Sequence, residues 1–136
     1  MPSNRFKPNS NTTDTIRMNL NIPQADLLAR MMDVAQLRHR LISRNLANVN
    51  TPGYHQLEVS FEDAFSRALG KQGEGTALHV APQVVEGQGN TPRQDGNTVD
   101  LDKELGNLNK NSLTFGMASQ MLVGRIGMMR SAILGH

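Results

Sequence analysis

From Leu27 to Val49 the large apolar residues recur at helical spacing: Leu27, Leu28, Met31, Met32, Val34, Ala35, Leu41, Ile42, Leu46 and Val49. Pro23 suits the entry, because a first-turn residue has no intrahelical use for an N–H. The pattern predicts a helix of roughly 25 residues, about 37 Å long. It must stop near Asn50, since Thr51 precedes Pro52 and pre-proline residues avoid the α region. Pro52-Gly53 fits the two central positions of a type II turn.

Beyond the turn, Glu58 to Leu69 carries Phe61, Phe65, Ala68 and Leu69 at i, i+4, i+7 and i+8, a short amphipathic helix, with Val59 permitting a strand start just before it. Gly70 to Asn97 is rich in glycine, with Pro82, Pro92 and the turn signal Asp95-Gly96. Its apolar knots are Leu78-His79-Val80 and Val84-Val85, which at best pair with each other as a hairpin and otherwise leave a mobile loop. The last segment steps by four and three without a break through Leu101, Leu105, Leu108, Ser112, Phe115, Ser119, Leu122, Ile126, Met129 and Ile133. That is the repeat of a coiled-coil seam. Asp100 can cap its start, Asp102 and Glu104 suit the positive end of the helix dipole, and Gly135 can end it. The expected fold is mainly α: two long terminal helices packed as a coiled-coil-like pair around a flexible or small β middle. Leu28, Ala35, Ile42 and Val49 are expected to face the seam of Leu101, Leu105, Leu108, Phe115, Leu122, Ile126, Met129 and Ile133.

From Leu113 onward the face opposite that seam also turns apolar, with Leu113, Met117, Met121 and Met128 beside Gly124 and Gly127. A helix that is apolar all round is surrounded all round. A chain of 136 residues, 38% hydrophobic and 4% aromatic, is too small to cover it alone. Burial by neighbouring subunits, and thus self-association, is the economical reading. The chain is expected to divide into a flexible N-terminal arm at 1–24, poor in large hydrophobes and rich in Asn, Ser and Thr, an N-terminal helix, its turn and the short segment after it at 25–69, a glycine-rich loop or small β hairpin at 70–97 and the C-terminal helix at 98–136.

Composition narrows the chemistry. With no cysteine there are no disulfides, thiolate zinc sites or cysteine nucleophiles. The four histidines, His39, His55, His79 and His136, stand on different segments without the i, i+3 or i+4 partner of a metal site. Asp100, Asp102 and Glu104 alternate as in a calcium loop, but Leu105 stands where that loop requires Gly and Asn111 where it needs Glu. No phosphate-binding glycine loop or nucleophile elbow occurs. We therefore expect no catalytic residues, cofactor, metal or small-molecule substrate. The net charge of +2 and the pI near 9.4 are mildly basic. Arg30, Arg38, Arg40 and Arg44 follow one another along the first helix, but Asp26 and Asp33 are interspersed and no stacking aromatic accompanies them, so a nucleic-acid-binding helical protein is a weaker alternative. The N-terminus lacks the apolar run of a secretory signal, and no window approaches the roughly 18 uninterrupted apolar residues of a membrane span.

The run Ser43-Arg44-Asn45-Leu46-Ala47-Asn48-Val49-Asn50-Thr51-Pro52-Gly53-Tyr54 resembles the N-terminal signature of the flagellar rod and hook family. The run Gly96-Asn97-Thr98-Val99-Asp100-Leu101-Asp102-Lys103-Glu104-Leu105 resembles its proximal-rod type. The resemblance covers about 27–69 and 96–134, with Asn48, Thr51, Pro52, Gly53 and Tyr54 as the family's turn. It implies a non-enzymatic subunit of the basal-body rod, or failing that another rod- or hook-class axial subunit, whose terminal helices pack into a hollow drive shaft that transmits torque for motility. The partners implied are other rod subunits, the adaptor at the rod base, the inner-membrane ring and, transiently, the flagellar type III export apparatus. Such subunits reach the periplasmic rod without a cleavable signal peptide. Phe61-Glu62-Asp63-Ala64-Phe65 resembles the Phe-x-x-x-hydrophobe element that docks at the export gate, and plain helix packing explains Phe61 and Phe65 equally well.

Overall fold

A computed structural model of the chain describes residues 23–72, 79–88 and 91–135. The arm expected at 1–24 lies almost wholly outside the described residues. Helix α1 runs Pro23–Ala47, strand β1 Leu57–Ser60, helix α2 Glu62–Gln72, strand β2 Gln83–Glu86 and helix α3 Leu101–Leu134. The fold is mainly helical, with α1 and α3 packed on each other and a small two-stranded sheet between them in sequence.

Local chemistry sets the ends of the elements. The Asp100 carboxylate accepts from the backbone N–H groups of Asp102 (3.0 Å) and Lys103 (3.2 Å), which would otherwise have no partner in the first turn of α3. At the other end the Gly135 N–H closes on Ser131 O (2.9 Å). After α1, the Asn48 side-chain amide donates to Arg44 O (2.8 Å) and consumes a C-terminal carbonyl. The Tyr54 N–H then returns to Thr51 O (3.3 Å) across Pro52-Gly53, with Gly53 at φ 68°, the positive angle that a type II turn requires at its third position.

The strands pair antiparallel, Leu57 with Glu86 and Ser60 with Gln83. The hairpin expected between the two apolar knots of the glycine-rich segment is therefore corrected. Val84 and Val85 find Val59 and Glu58, and of the first knot Val80 lies against α1, its carbonyl accepting from the Arg30 guanidinium (2.7 Å). Strand β1 has α1 behind it, whereas two knots joined by a short turn would have had no surface to pack on.

The helix pair is antiparallel, since Asn45 near the end of α1 meets Glu104 near the start of α3, and Ala35 meets Asn111 about two turns further along α3. α1 buries Val34, Ala35, Leu41, Ile42 and Asn45. α3 answers with Glu104, Asn111 and Ala118, buried at intervals of seven, and with Leu108, Phe115, Leu122 and Met129, partly buried at intervals of seven. This is a heptad seam in which two of the inner positions are polar. Phe61, at the start of α2, and Val99, ahead of α3, complete the small apolar core.

Candidate functional site

Two features stand out from this frame, a buried polar junction where the two helices and the turn meet, and a long uncovered face of α3. The junction is built around Asn97, which is fully buried. Its amide nitrogen donates to the carbonyls of Asn48 (2.9 Å), Val49 (3.2 Å) and Thr51 (2.8 Å), and its amide oxygen accepts from the Val99 N–H (2.7 Å). One side chain thus holds the whole turn after α1 against the segment that leads into α3. Around it the two segments zip together: Gly53 N–H to Asp95 O (2.8 Å), Thr98 N–H to Tyr54 O (3.0 Å) and Gln56 N–H to Thr98 Oγ1 (2.8 Å). Gly96 (φ 80°) lies so close to Gly53 that a Cβ on it would sit 3.5 Å from the Gly53 Cα.

Asn45 is the second hub. Its amide donates to Leu57 O (2.9 Å) and Glu104 Oε2 (3.3 Å) and accepts from the Leu57 N–H (3.0 Å) and the Tyr54 hydroxyl (3.2 Å). Every polar valence of a buried amide is used, which fixes both its orientation and the distances among α1, the turn, β1 and α3. The Glu104 carboxylate also accepts from the Gln56 side-chain amide. Burial raises the Glu104 carboxyl above its ordinary range, against the opposing pull of its Asn45 and Gln56 donors, and the nearby Glu58 charge adds to the rise. The remaining inner polar position, Asn111, donates to Ala35 O (2.8 Å), while its own Oδ1 is buried with no hydrogen-bond partner among the described residues.

The junction brings together the two sequence motifs read above. Asn48, Thr51, Pro52, Gly53 and Tyr54 form the turn, with Pro52 at the surface and Tyr54 reaching inward to Asn45. Phe61 is buried and stacks on the partly buried Phe65, ring centroids 4.9 Å apart. Of the residues expected to form the seam, Ala35 and Ile42 are buried, and Leu28, Val49, Leu108, Phe115, Leu122 and Met129 are partly buried. Leu101, Leu105, Ile126 and Ile133 are not buried against α1. Their side chains are exposed, from 45% for Leu101 and Leu105 to 70% for Ile133. That half of the expected seam is corrected within the chain: the buried row of α3 is Glu104, Asn111 and Ala118, and beside Leu105 the buried place is taken by Glu104, held by Asn45 and Gln56. Sequence reasoning that sought apolar residues passed over Asn45, Gln56, Asn97, Glu104 and Asn111. The available signal was a polar side chain at a core-phase position, as Asn45 stands three and four residues after Ile42 and Leu41.

The second feature is the outer surface of α3. Leu113, Met117, Met121, Val123, Ile126 and Met128 are all more than half exposed. Gly116, Gly124 and Gly127 offer a surface on which an added methyl group would meet nothing within 4 Å. Among the described residues no group of three His, Asp or Glu side chains is placed to hold a metal ion, and no helix is long and apolar enough to cross a membrane.

Comparison with known proteins points the same way. The chain is 31% identical over 110 residues to the flagellar basal body rod protein FlgB of Escherichia coli K12, covering 68% of this chain and 80% of that protein. It is 31% identical over 116 residues to FlgB of Aeromonas hydrophila, covering 77% and 88%. To FlgB of Bacillus subtilis it is 24% identical over 117 residues, covering 79% and 91%. No protein-family model matches the chain.

Proposed function

The chain belongs to the FlgB family of flagellar basal body rod proteins, and on that premise we propose that the uncovered face of α3 is the surface by which it is built into the rod. It is a structural subunit of the basal body, and its work is mechanical. The buried junction gives each subunit a fixed angle between the helix pair and the turn, and the α3 face supplies the contacts. Torque passes through these interfaces without catalysis or a cofactor.

The observation that carries this reading is apolar exposure. Side chains such as Met121 (58% exposed) and Leu113 (69%) lie along one helix of a single small chain, and contiguous exposed apolar surface of this kind marks an interaction site. The neighbours are other rod subunits, the adaptor at the rod base and the inner-membrane ring. The seam residues that face outward, Leu101, Leu105, Ile126 and Ile133, belong to this contact surface, and those that face α1 hold the subunit together. Delivery is through the flagellar type III apparatus without a cleaved signal. Because Phe61 is buried in the folded chain, the Phe61 and Phe65 rings serve the export gate only while the chain is unfolded.

The test uses cells whose own copy of the gene is replaced. Met121→Asp places a carboxylate where the isolated subunit exposes a side chain, so the subunit still folds, but in the rod that charge must be desolvated at about several kcal/mol per subunit. Lys103→Asp, in the solvated first turn of α3, changes the charge more and the contact surface less. Motility and intact basal bodies are expected for Lys103→Asp and neither for Met121→Asp. Intact rods with Met121→Asp, or absence of the unsubstituted chain from purified basal bodies, would refute the assignment.

A further inference from the structure

Asp95-Gly96 is the only Asp-Gly pair in the sequence, and no Asn-Gly pair occurs. Such a bond is chemically labile, because glycine has no side chain to hinder its own nitrogen. In an unfolded chain the Gly96 nitrogen can attack the side-chain carboxyl carbon of Asp95. A C–N bond forms, the nitrogen's proton and the carboxyl's hydroxyl leave as water, and a five-membered succinimide closes. Water then reopens the ring at one of its two carbonyls. Cleavage at the side-chain carbonyl restores aspartate, whereas cleavage at the backbone carbonyl leaves isoaspartate. The main chain then runs through the Asp95 β-carbon, one methylene longer, beside a free α-carboxylate. One water is lost and one regained, with no change in charge or oxidation state.

In the folded chain the same bond lies inside the Asn97 junction. The Gly96 N–H donates to Arg93 O (2.9 Å), and the Arg93 N–H donates to Asn97 O (2.9 Å), so residues 93–97 form a closed turn. The Asp95 Oδ1 accepts from the Asn97 N–H (3.0 Å), and the Asp95 carbonyl accepts from the Gly53 N–H (2.8 Å). Ring closure must turn the Asp95 carboxyl carbon onto the Gly96 nitrogen and free that nitrogen of its proton. Each move breaks one of these bonds and pulls on Asn97, which is anchored on the carbonyls of Asn48, Val49 and Thr51. Asp95 is exposed, so water is at hand and only the geometry protects the bond. The product is excluded too. Because a Cβ on Gly96 would lie 3.5 Å from the Gly53 Cα, a methylene added just before Gly96 has to shift it or Asn97.

We propose that Asp95-Gly96 is the chain's isoaspartate-forming site, open while the chain is unfolded and shut by the Asn97 junction once it folds, and that a chain isomerised there no longer completes the junction. This rests on the junction alone and is independent of the rod reading. It gives the unfolded chain a finite chemical lifetime. It also marks an aged chain with a free α-carboxylate, the group on which an isoaspartyl-directed methylating enzyme acts.

The purified chain is incubated at mildly acidic pH, one portion in buffer and one in guanidinium chloride, and exchange protection of the Val99 amide reports whether the junction is formed. Isoaspartate is located by electron-transfer fragmentation and counted by methyl transfer from S-adenosylmethionine with a purified isoaspartyl methyltransferase. The expected result is conversion at residue 95 in guanidinium, slower by at least about tenfold in buffer, because the folded chain reacts only through local opening. Asn97→Ala should match the parent in guanidinium and lose most of the protection in buffer, whereas Gly96→Ala should be slow in both. Isomerised chain, separated by chromatography and returned to buffer, should lack the Val99 protection. Equal rates in the two solvents, isoaspartate arising mainly at another residue, protection indifferent to Asn97→Ala, or isomerised chain that regains Val99 protection overturns the proposal. A parent chain without Val99 protection in buffer overturns the junction, and the proposal with it.

Discussion

Removing the Asn97 side chain should unlock the junction at a cost that can be worked from its bonds. Asn97→Ala deletes three donations from Nδ2 and one acceptance at Oδ1. The three carbonyls are not orphaned, because Asn48 O keeps the Thr51 N–H (3.0 Å), Val49 O keeps Arg93 (3.2 Å) and Thr51 O keeps the Tyr54 N–H (3.3 Å). Only the Val99 N–H, in a buried residue, is left without its partner, a penalty of about 1–3 kcal/mol. Two amide hydrogens serve three acceptors, so those bonds are individually weak, and together with the orphaned N–H the loss should be about 3 kcal/mol. Asn97→Asp keeps the shape and the acceptor for Val99 but turns a donor into a carboxylate oxygen facing three carbonyl oxygens. Its cost should exceed that of alanine, at about 4 kcal/mol or more, because a buried anion gains no partner. Urea unfolding followed by circular dichroism gives the two values, and exchange protection of the Val99 amide reports the same bond locally. An aspartate variant as stable as the alanine variant, or an alanine variant within about 1 kcal/mol of the parent, would refute the hub assignment.

Glu104 should give the stability a pH dependence opposite to that of an ordinary ion-paired carboxylate. Its folded value is raised, so its contribution is fully present below the unfolded carboxylate range and is lost as pH rises through the raised value. As pH rises above the ordinary carboxylate range the urea midpoint of the parent should fall relative to Glu104→Gln, and parallel profiles for the two proteins would remove the argument. Gly124→Ala with Gly127→Ala should stabilise the isolated chain by about 1–2 kcal/mol, since each glycine costs a helix up to about 1 kcal/mol and the new methyl groups meet nothing within 4 Å. The same pair should reduce swarming, because neighbours in the rod lose their close approach. Full motility with the stability gain would show that no subunit packs on that stripe.

Helix limits were legible because they are written in local chemistry. Pro23, the Thr51-Pro52-Gly53 turn, the Asp100 cap and Gly135 each act within a few residues, and α1 and α3 begin and end where they stand. The partly buried row of Leu108, Phe115, Leu122 and Met129 could also be read from its spacing of seven. The other half of the seam could not. Reading apolar residues alone gave Leu101, Leu105 and Ile126 the inward positions, whereas a difference of one residue rotates a helix by about 100° and the buried positions belong to Glu104, Asn111 and Ala118. Glu104 and Asn111 are tolerable inside only because Asn45, Gln56 and the Ala35 carbonyl are there to meet them. Those partners lie far away in sequence. The same distance hid the pairing of β2 with β1, because nothing in Val84-Val85 names a partner, and the surface of α1 that β1 packs on decides it.

The Asn97 hub also dictates an order of events along the chain. The carbonyls it gathers belong to Asn48, Val49 and Thr51, more than forty residues earlier, and Asn45 waits for Glu104 across a still longer interval. A polypeptide that emerges from its amino end can form α1 as soon as that stretch is free, yet its turn stays without its lock until residue 97 has followed. Closing so long a loop is a late and entropically costly step, compensated only when several bonds form at once. The junction can therefore become one rigid piece only when the start of α3 is present, however early α1 has formed.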